Sequence, residues 1–174
     1  MKSFKQHILE KLKVSKQIYT LFPKTKSELK QMIKDEISKN GNKCALNHID
    51  VSRITDMSKL FFGYGFTVDI SEWNVSNVTD MSDMFFDCEY FNQDISNWDV
   101  SNVTNMECMF YGCELFNQDI SAWDVSNVTE MNKMFLDCES FNQDISDWDV
   151  SNVTAMGGMF YKCPIEEKYK PKFK

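Results

Sequence analysis

Residues 91–104, with the sequence FNQDISNWDVSNVT, decide the fold because they return almost unchanged at 116–129 and at 141–154. A partly altered copy begins at Phe66, and tryptophans stand at positions 73, 98, 123 and 148. The chain is therefore a repeat array with a period of 25 residues. A unit this short cannot bury its apolar face alone, so neighbouring units must stack. We expect identical side chains to lie over one another in columns.

The spacing of apolar residues changes within each repeat. The run Trp98-Asp99-Val100 alternates as a short strand does. The residues that follow are spaced like one face of a helix, namely Met106, Met109, Phe110 and Cys113. The pattern predicts an α/β repeat solenoid of about five turns. It places short parallel strands on one face and short helical or 3₁₀ turns on the other.

Asparagine columns accompany this pattern. One column follows the predicted strand and a second lies on the return loop: Asn77, Asn102, Asn127 and Asn152, then Asn92, Asn117 and Asn142. Side-chain amides satisfy the polar groups of turn backbones. We interpret both columns as structural ladders.

The two ends of the chain differ from the repeats. Residues 46–57 match 70–81 at an offset of 24, which indicates a divergent first repeat. Before them, Thr25 to Glu28 opens a helix with an apolar stripe that ends at Asn40-Gly41: Leu29, Met32, Ile33 and Ile37. We also expect weak helix over 4–12 and an extended segment over 17–22. The predicted divisions are a basic helical cap at 1–44, repeats at 45–163 and a capping tail at 164–174.

Charge is distributed unevenly along the chain. Residues 1–44 carry 11 Lys against 4 acidic residues, a local charge of +7, whereas 45–163 carry 4 basic and 20 acidic residues, or −16. An acidic repeat surface makes nucleic acid an unsuitable partner. The N-terminus lacks the continuous apolar core of a secretory signal, and no stretch is long enough for a membrane span. From sequence we therefore expect no membrane insertion and a cytoplasmic location.

Four of the six cysteines share one repeat column: Cys88, Cys113, Cys138 and Cys163. A single column indicates packing by reduced, buried thiols rather than a disulfide framework. Zinc sites place ligands two to five residues apart, and Cys108 with Cys113 is the one close pair. The sequence predicts neither a metal site nor a cofactor.

The repeated run Ile-Ser-x-Trp-Asp-Val-Ser-Asn-Val-Thr-x-Met-x-x-Met-Phe-x-x-Cys resembles the BspA-like leucine-rich-repeat surface proteins, in their mycoplasma lipoprotein-type repeat of unknown function. The resemblance covers about residues 46 to 163. It implies a right-handed, leucine-rich-repeat-like solenoid. It also implies display at cell surfaces and binding of host or partner proteins. It supplies no established binding residues.

A binding surface is expected where side chains of the predicted strands point outward. This face is polar and acidic, and the candidate binding residues are Glu72, Asn74, Asn97, Asp99, Asp124, Asp147 and Asp149. The sequence predicts non-enzymatic recognition of a protein partner by a monomer, and the acidic face suits a basic partner. The alternative class is a passive structural or adhesive element that assembles by stacking end to end.

A second acidic column enters each predicted strand: Asp69, Asp94, Asp119 and Asp144. Stacked carboxylates repel one another unless amides donate hydrogen bonds to them or cations neutralise them. Three explanations stay open. The carboxylates close turns on the backbone, they serve a basic partner, or calcium bridges the repeats.

Catalysis is not expected, because the repeats make each Ser and Asp equivalent whereas an active site needs one distinctive constellation. The two histidines, His7 and His48, lie outside the full repeats. A competing binding surface consists of apolar residues in variable columns: Phe86, Tyr111, Leu136 and Tyr161, with Tyr90 and Leu115. Such residues pack partly between repeats or form contact points for a partner.

Overall fold

The structure is a computed structural model that describes residues 18–65 and 67–173. Its regular elements are helix α1 at Lys26–Asn40 and a short 3₁₀ helix at Glu167–Tyr169. The repeats consist of turns joined by isolated parallel bridges. The predicted helix over 4–12, His7, Gln17 and Phe66 lie outside the described residues.

The predicted fold class, a leucine-rich-repeat-like α/β solenoid, is wrong. Within the described residues the repeats hold neither a β-strand nor a helix, and the single α-helix precedes them. Where strands were predicted, around Trp98 to Val100, the backbone forms loops and turns. The Met106 to Cys113 segment, predicted to be helical, is a succession of turns.

Helix α1 forms as its sequence predicts. The Thr25 side chain accepts a hydrogen bond from the Glu28 amide at 3.2 Å, and the helix ends at Gly41, whose φ is 84°. Leu29 and Ile33 are fully buried against the core. The helix therefore packs its apolar stripe against the core, which confirms the predicted helix.

The repeats stack in the register that the sequence predicts. We number them by residue range: repeat 1 at 46–69, repeat 2 at 70–94, repeat 3 at 95–119, repeat 4 at 120–144 and repeat 5 at 145–163. Parallel bridges join equivalent positions of consecutive repeats: Asp56 to Asp80, Asp80 to Asn105, Asn105 to Glu130 and Glu130 to Ala155. Each repeat therefore adds one layer to the stack.

Each repeat contains a turn segment, which in repeat 2 begins at Met81. Every second residue of this segment donates a backbone hydrogen bond to the next repeat. In repeat 2 the donors are Met81, Asp83, Phe85 and Asp87, and the acceptors in repeat 3 are the carbonyls of Asn105, Glu107, Met109 and Tyr111, at 2.7–3.0 Å. The intervening amides close turns within their own repeat, as Met84 does on Met81. The turn segment thus satisfies its backbone without helix or sheet.

Positive φ angles explain why this segment is not helical. In the part of the chain that the structure describes, seven residues other than glycine have φ between 53° and 57°: Lys59, Asp83, Asp87, Cys108, Lys133, Asp137 and Lys162. The left-handed conformation costs such residues about 1 kcal/mol each. Asp83 and Asp87 use it to direct their amides at repeat 3. The helical spacing of the methionines was misleading because successive turns bury the same positions.

The core is made of columns of like side chains. Phe85, Phe110 and Phe135 stack with ring centroids 5.6–5.7 Å apart, and each is at most 1% exposed. Each tryptophan donates its indole N–H to a carbonyl of the preceding repeat, as Trp123 does to Ile95 at 3.2 Å. These buried donors therefore have partners, which avoids the cost of an unpaired polar group.

The asparagine column that follows each tryptophan forms the predicted ladder. Each side-chain amide donates to a serine carbonyl of the preceding repeat, and the pairs are Asn77 with Ser52, Asn102 with Ser76, Asn127 with Ser101, and Asn152 with Ser126, at 2.7–2.8 Å. In the second column the side chain accepts instead, since Asn92 Oδ1 accepts from the backbone amide of Asn117 at 3.0 Å. Both ladders are confirmed.

We predict that Asn127→Asp lowers the free energy of unfolding by about 0.5–1.5 kcal/mol, because a carboxylate would face the Ser101 carbonyl with no proton to donate. Urea denaturation measures the change. Asn97→Asp is the matched control, since it adds the same charge at an exposed side chain that donates no hydrogen bond to a described residue, and it should stay within about 0.5 kcal/mol of the parent. Equal losses in both variants would contradict a structural ladder.

Candidate functional site

The acidic column that begins at Asp69 closes turns. Each carboxylate accepts from the amide of the serine two residues later, and the pairs are Asp69 with Ser71, Asp94 with Ser96, Asp119 with Ser121, and Asp144 with Ser146, at 3.0–3.1 Å. Hydrogen bonds from the side chain and amide of Ser96 lower the pKa of Asp94. Turn closure, the first of the three predicted explanations, is confirmed.

The predicted binding residues of the second column have the same structural role. Asn74, Asp99, Asp124 and Asp149 each accept from the amide of the serine two residues later, at 3.0–3.2 Å. Hydrogen bonds from the side chain and amide of Ser126 lower the pKa of Asp124, against a smaller opposing effect of Asp149. All four side chains are exposed. They both fix the turns and present polar groups to solvent.

The remaining predicted site residues are Glu72, Asn97 and Asp147, and all are exposed. Glu72 and Asn97 line one shallow depression together with Asp94, which places these two residues on one surface with the first acidic column. We call the surface formed by Glu72, Asn74, Asp94, Asn97, Asp99, Asp119, Asp124, Asp147 and Asp149 the acidic face. The Asp-x-Ser spacing in the sequence was a signal for the turn closure that strand reasoning missed.

Cations of the repeats pair away from the acidic face. Lys59 lies 3.9 Å from Asp83, and Lys162 lies 3.1 Å from Asp137. Among residues 18–65 and 67–173, no lysine or arginine forms a salt bridge with Asp94, Asp99, Asp119 or Asp124. The negative potential of this surface is therefore available to a partner.

The cysteine column is part of the core. The thiols of Cys88, Cys113 and Cys138 are buried and donate to carbonyls of the preceding repeat at 2.8–3.0 Å, while Cys163 is half-buried. Burial raises the pKa of Cys88 to about 12, and it raises the pKa of Cys113 strongly. The thiols are free, as predicted, and their high pKa values make them poor nucleophiles.

Residues 18–65 and 67–173 contain neither a cluster of metal-ligating side chains nor a membrane-spanning helix. No group of three or more His, Cys, Asp or Glu side chains there is arranged to hold a metal ion. No helix there has the length and apolar character needed to cross a membrane. His48 Nε2 lies 3.3 Å from Glu36 Oε2 of α1, so it contacts the cap rather than a catalytic partner.

An aromatic column crosses the surface formed by the turn segments. Phe62 stacks on Phe86 with centroids 4.6 Å apart, and Phe86 stacks on Tyr111 at 4.3 Å. Phe86, Tyr111 and Leu136 are half-buried, which confirms partial packing between repeats. Tyr161, Tyr90 and Leu115 are at least half exposed. They are the apolar candidates for contact with a partner.

These observations define a class, a repeat protein made of stacked turns with one acidic face. The chain matches the family described as Mycoplasma protein of unknown function, DUF285, over residues 27–125 and again over 91–167. It belongs to that family. No curated protein and no solved structure matches the chain. The resemblance is thereby confirmed at the level of the family, and the leucine-rich-repeat geometry is not supported.

We predict that replacing one buried thiol changes the stability at alkaline pH. Because folding raises the pKa of Cys113, stability is lost as pH rises above the unfolded value of about 8.5. Cys113→Ser keeps a donor for the Phe85 carbonyl but does not titrate. Its free energy of unfolding should fall less steeply between about pH 9 and 11, by up to about 1.4 kcal/mol per pH unit. Identical slopes for variant and parent would contradict this.

The turn-closing role of Asp94 predicts different outcomes for two substitutions. Asp94→Ala removes the acceptor for Ser96 and should lower the free energy of unfolding by about 0.5–1.5 kcal/mol. Asp94→Asn keeps an acceptor oxygen, as Asn74 does in the neighbouring column, and should be nearly neutral at pH 7. Thermal unfolding measures both. A larger loss for Asn than for Ala would show that charge, not turn closure, stabilises this position.

Proposed function

We propose that this protein is a non-enzymatic recognition module that binds a basic region of a protein partner through the acidic face. The observation that carries the proposal is the rigid presentation of ionised carboxylates in consecutive repeats. Asp99 and Asp124 are exposed, yet each is fixed by hydrogen bonds from the serine two residues later. Ordering them therefore costs little further entropy on binding.

The charge of the face favours a cationic partner. Asp94, Asp119 and Asp124 are ionised at neutral pH, because the pKa of an aspartate lies far below 7 and hydrogen bonds from serine lower it further here. Exposed carboxylates of this kind accelerate diffusional encounter and select against acidic partners, more than they increase affinity. The resemblance to surface-displayed repeat proteins favours a protein over a small molecule.

The arrangement of the surface favours binding over catalysis. Equivalent Asp and Ser pairs recur in each repeat, and their hydrogen bonds close turns. The buried thiols carry raised pKa values and lie inside the stack. A general acid, base or nucleophile needs an accessible group with a pKa matched to its task. We therefore propose no reaction for this chain.

The double variant Asp99→Asn, Asp124→Asn tests the proposal. It removes two charges but keeps the turns, because Asn74 already closes the equivalent turn in repeat 2. Association with an immobilised lysine-rich peptide and capture from a matched lysate should both weaken, with the association rate falling several-fold at low salt. The free energy of unfolding should stay within about 0.5 kcal/mol.

The matched control is Glu89→Gln, Glu114→Gln, which makes the same change in net charge at exposed positions outside the acidic face. Capture should be unaffected by this control. If both double variants lose capture equally, net charge rather than the acidic face is responsible. If capture survives in the first and is lost in Tyr90→Ala, the aromatic candidates carry binding instead.

A further inference from the structure

The last repeat has an open hydrogen-bonding edge. In repeats 1 to 4, every second residue of the turn segment donates its amide to the next repeat, as Met131, Lys133, Phe135 and Asp137 do to carbonyls of repeat 5. The equivalent donors in repeat 5 are the amides of Met156, Gly158, Phe160 and Lys162. Within residues 18–65 and 67–173, none of these four amides has a backbone or side-chain acceptor.

The apolar side chains of this edge lack the cover that their counterparts have. Met57, Met81, Met106 and Met131 are 0% exposed, whereas Met156 in the same column is 40% exposed. Val153 is half-buried, although Val78, Val103 and Val128 are fully buried. Tyr161 is 62% exposed at the end of the aromatic column. The edge therefore has the composition of an interface between repeats with one layer missing.

The C-terminal tail covers only the other part of repeat 5. Ile145 donates its amide to the Tyr169 carbonyl at 3.0 Å, and the Glu166 amide donates to Asn142 Oδ1 at 2.9 Å. Ile165 is buried against the core. The tail thus replaces a sixth repeat near Ile145 and Asn142. Met156, Gly158 and Tyr161 stay exposed, whereas Lys170 Nζ of the tail lies 5.7 Å from the ring centroid of Phe160.

The backbone donors and acceptors at this edge determine which kind of chain can bind there. A partner must present carbonyls from alternate residues to the four amides. Between earlier repeats, the Thr104 carbonyl, which is equivalent to that of Thr154, accepts from the amide and hydroxyl of Thr129. The Ser126 carbonyl, which is equivalent to that of Ser151, accepts from the side-chain amide of Asn152. A flat β-strand supplies alternate carbonyls but lacks these side chains at the required positions. A repeat of this same sequence type supplies all of them.

We propose that the open edge of repeat 5 binds a repeat of the same sequence type from another chain, which adds a sixth layer to the stack. The edge is continuous with the interfaces between repeats 1 to 5, and its register fixes the partner's alignment.

The partner's first repeat must expose the side on which a preceding repeat would stack. In an intact copy of this chain, α1 covers that side of repeat 1, because Leu29 and Ile33 pack into the core and Lys26 bonds Asp56 and Ser58. Helix α1 therefore blocks the same contact at repeat 1 of a second copy. The partner is a chain of this repeat class whose first repeat is not capped by a helix.

A synthetic peptide of residues 95–119 tests the proposal against the full chain. At about 1 mM peptide, where weak coupled folding and binding becomes measurable, amide exchange at Met156, Gly158, Phe160 and Lys162 should slow at least fivefold. A scrambled peptide of the same composition should leave these amides unchanged. Equal protection by both peptides, or protection by neither, would overturn the proposal.

Two variants locate the binding. Met156→Glu and Tyr161→Glu place a charge in columns that the added layer would bury, and each should weaken peptide binding at least tenfold. Tyr90→Glu is the matched control, since Tyr90 is 55% exposed and lies outside the edge, and it should bind as the parent does. The Asp99→Asn, Asp124→Asn variant should also bind the peptide normally, which separates this site from the acidic face. Dimers of the parent chain alone would contradict the capping role of α1.

Discussion

The alternation of amide directions in the turn segment is the constraint on which the rest of the structure depends. One amide closes a turn inside its repeat and the next donates to the following repeat, as Met84 and Phe85 do. Left-handed residues such as Asp83 make the alternation possible at a cost of about 1 kcal/mol each. Burial of the methionine and phenylalanine columns offsets this cost, because each layer covers the apolar groups of the one before.

The same residues give the protein both its shape and its surface. Asp94 and Asp99 hold the turns on either side of Trp98, and their second carboxylate oxygens face solvent. Repetition of those turns then repeats the charge. The acidic face is thus a consequence of turn chemistry, which explains why it recurs in each full repeat and why asparagine can replace aspartate at position 74.

Sequence reasoning succeeded where local chemistry decides the outcome. Thr25 and Gly41 set the ends of α1, and the stripe that includes Leu29 and Ile33 set its buried face. It failed inside the repeats, because spacings of three, one and three residues are shared by a helix and by consecutive turns. The positive φ of Lys59 or Cys108 has no residue signature, since neither is glycine or asparagine.

The sequence by itself determined the period, the columns, the helical cap and the positions of the candidate surface residues, because each follows from the order of side chains along the chain. Only the tertiary structure decided how the backbone is satisfied, since donors and acceptors 24 or 25 residues apart meet only after the layers have stacked. That pairing turned the predicted strands and helices into turns, and it left the edge at Met156 to Lys162 open among the described residues.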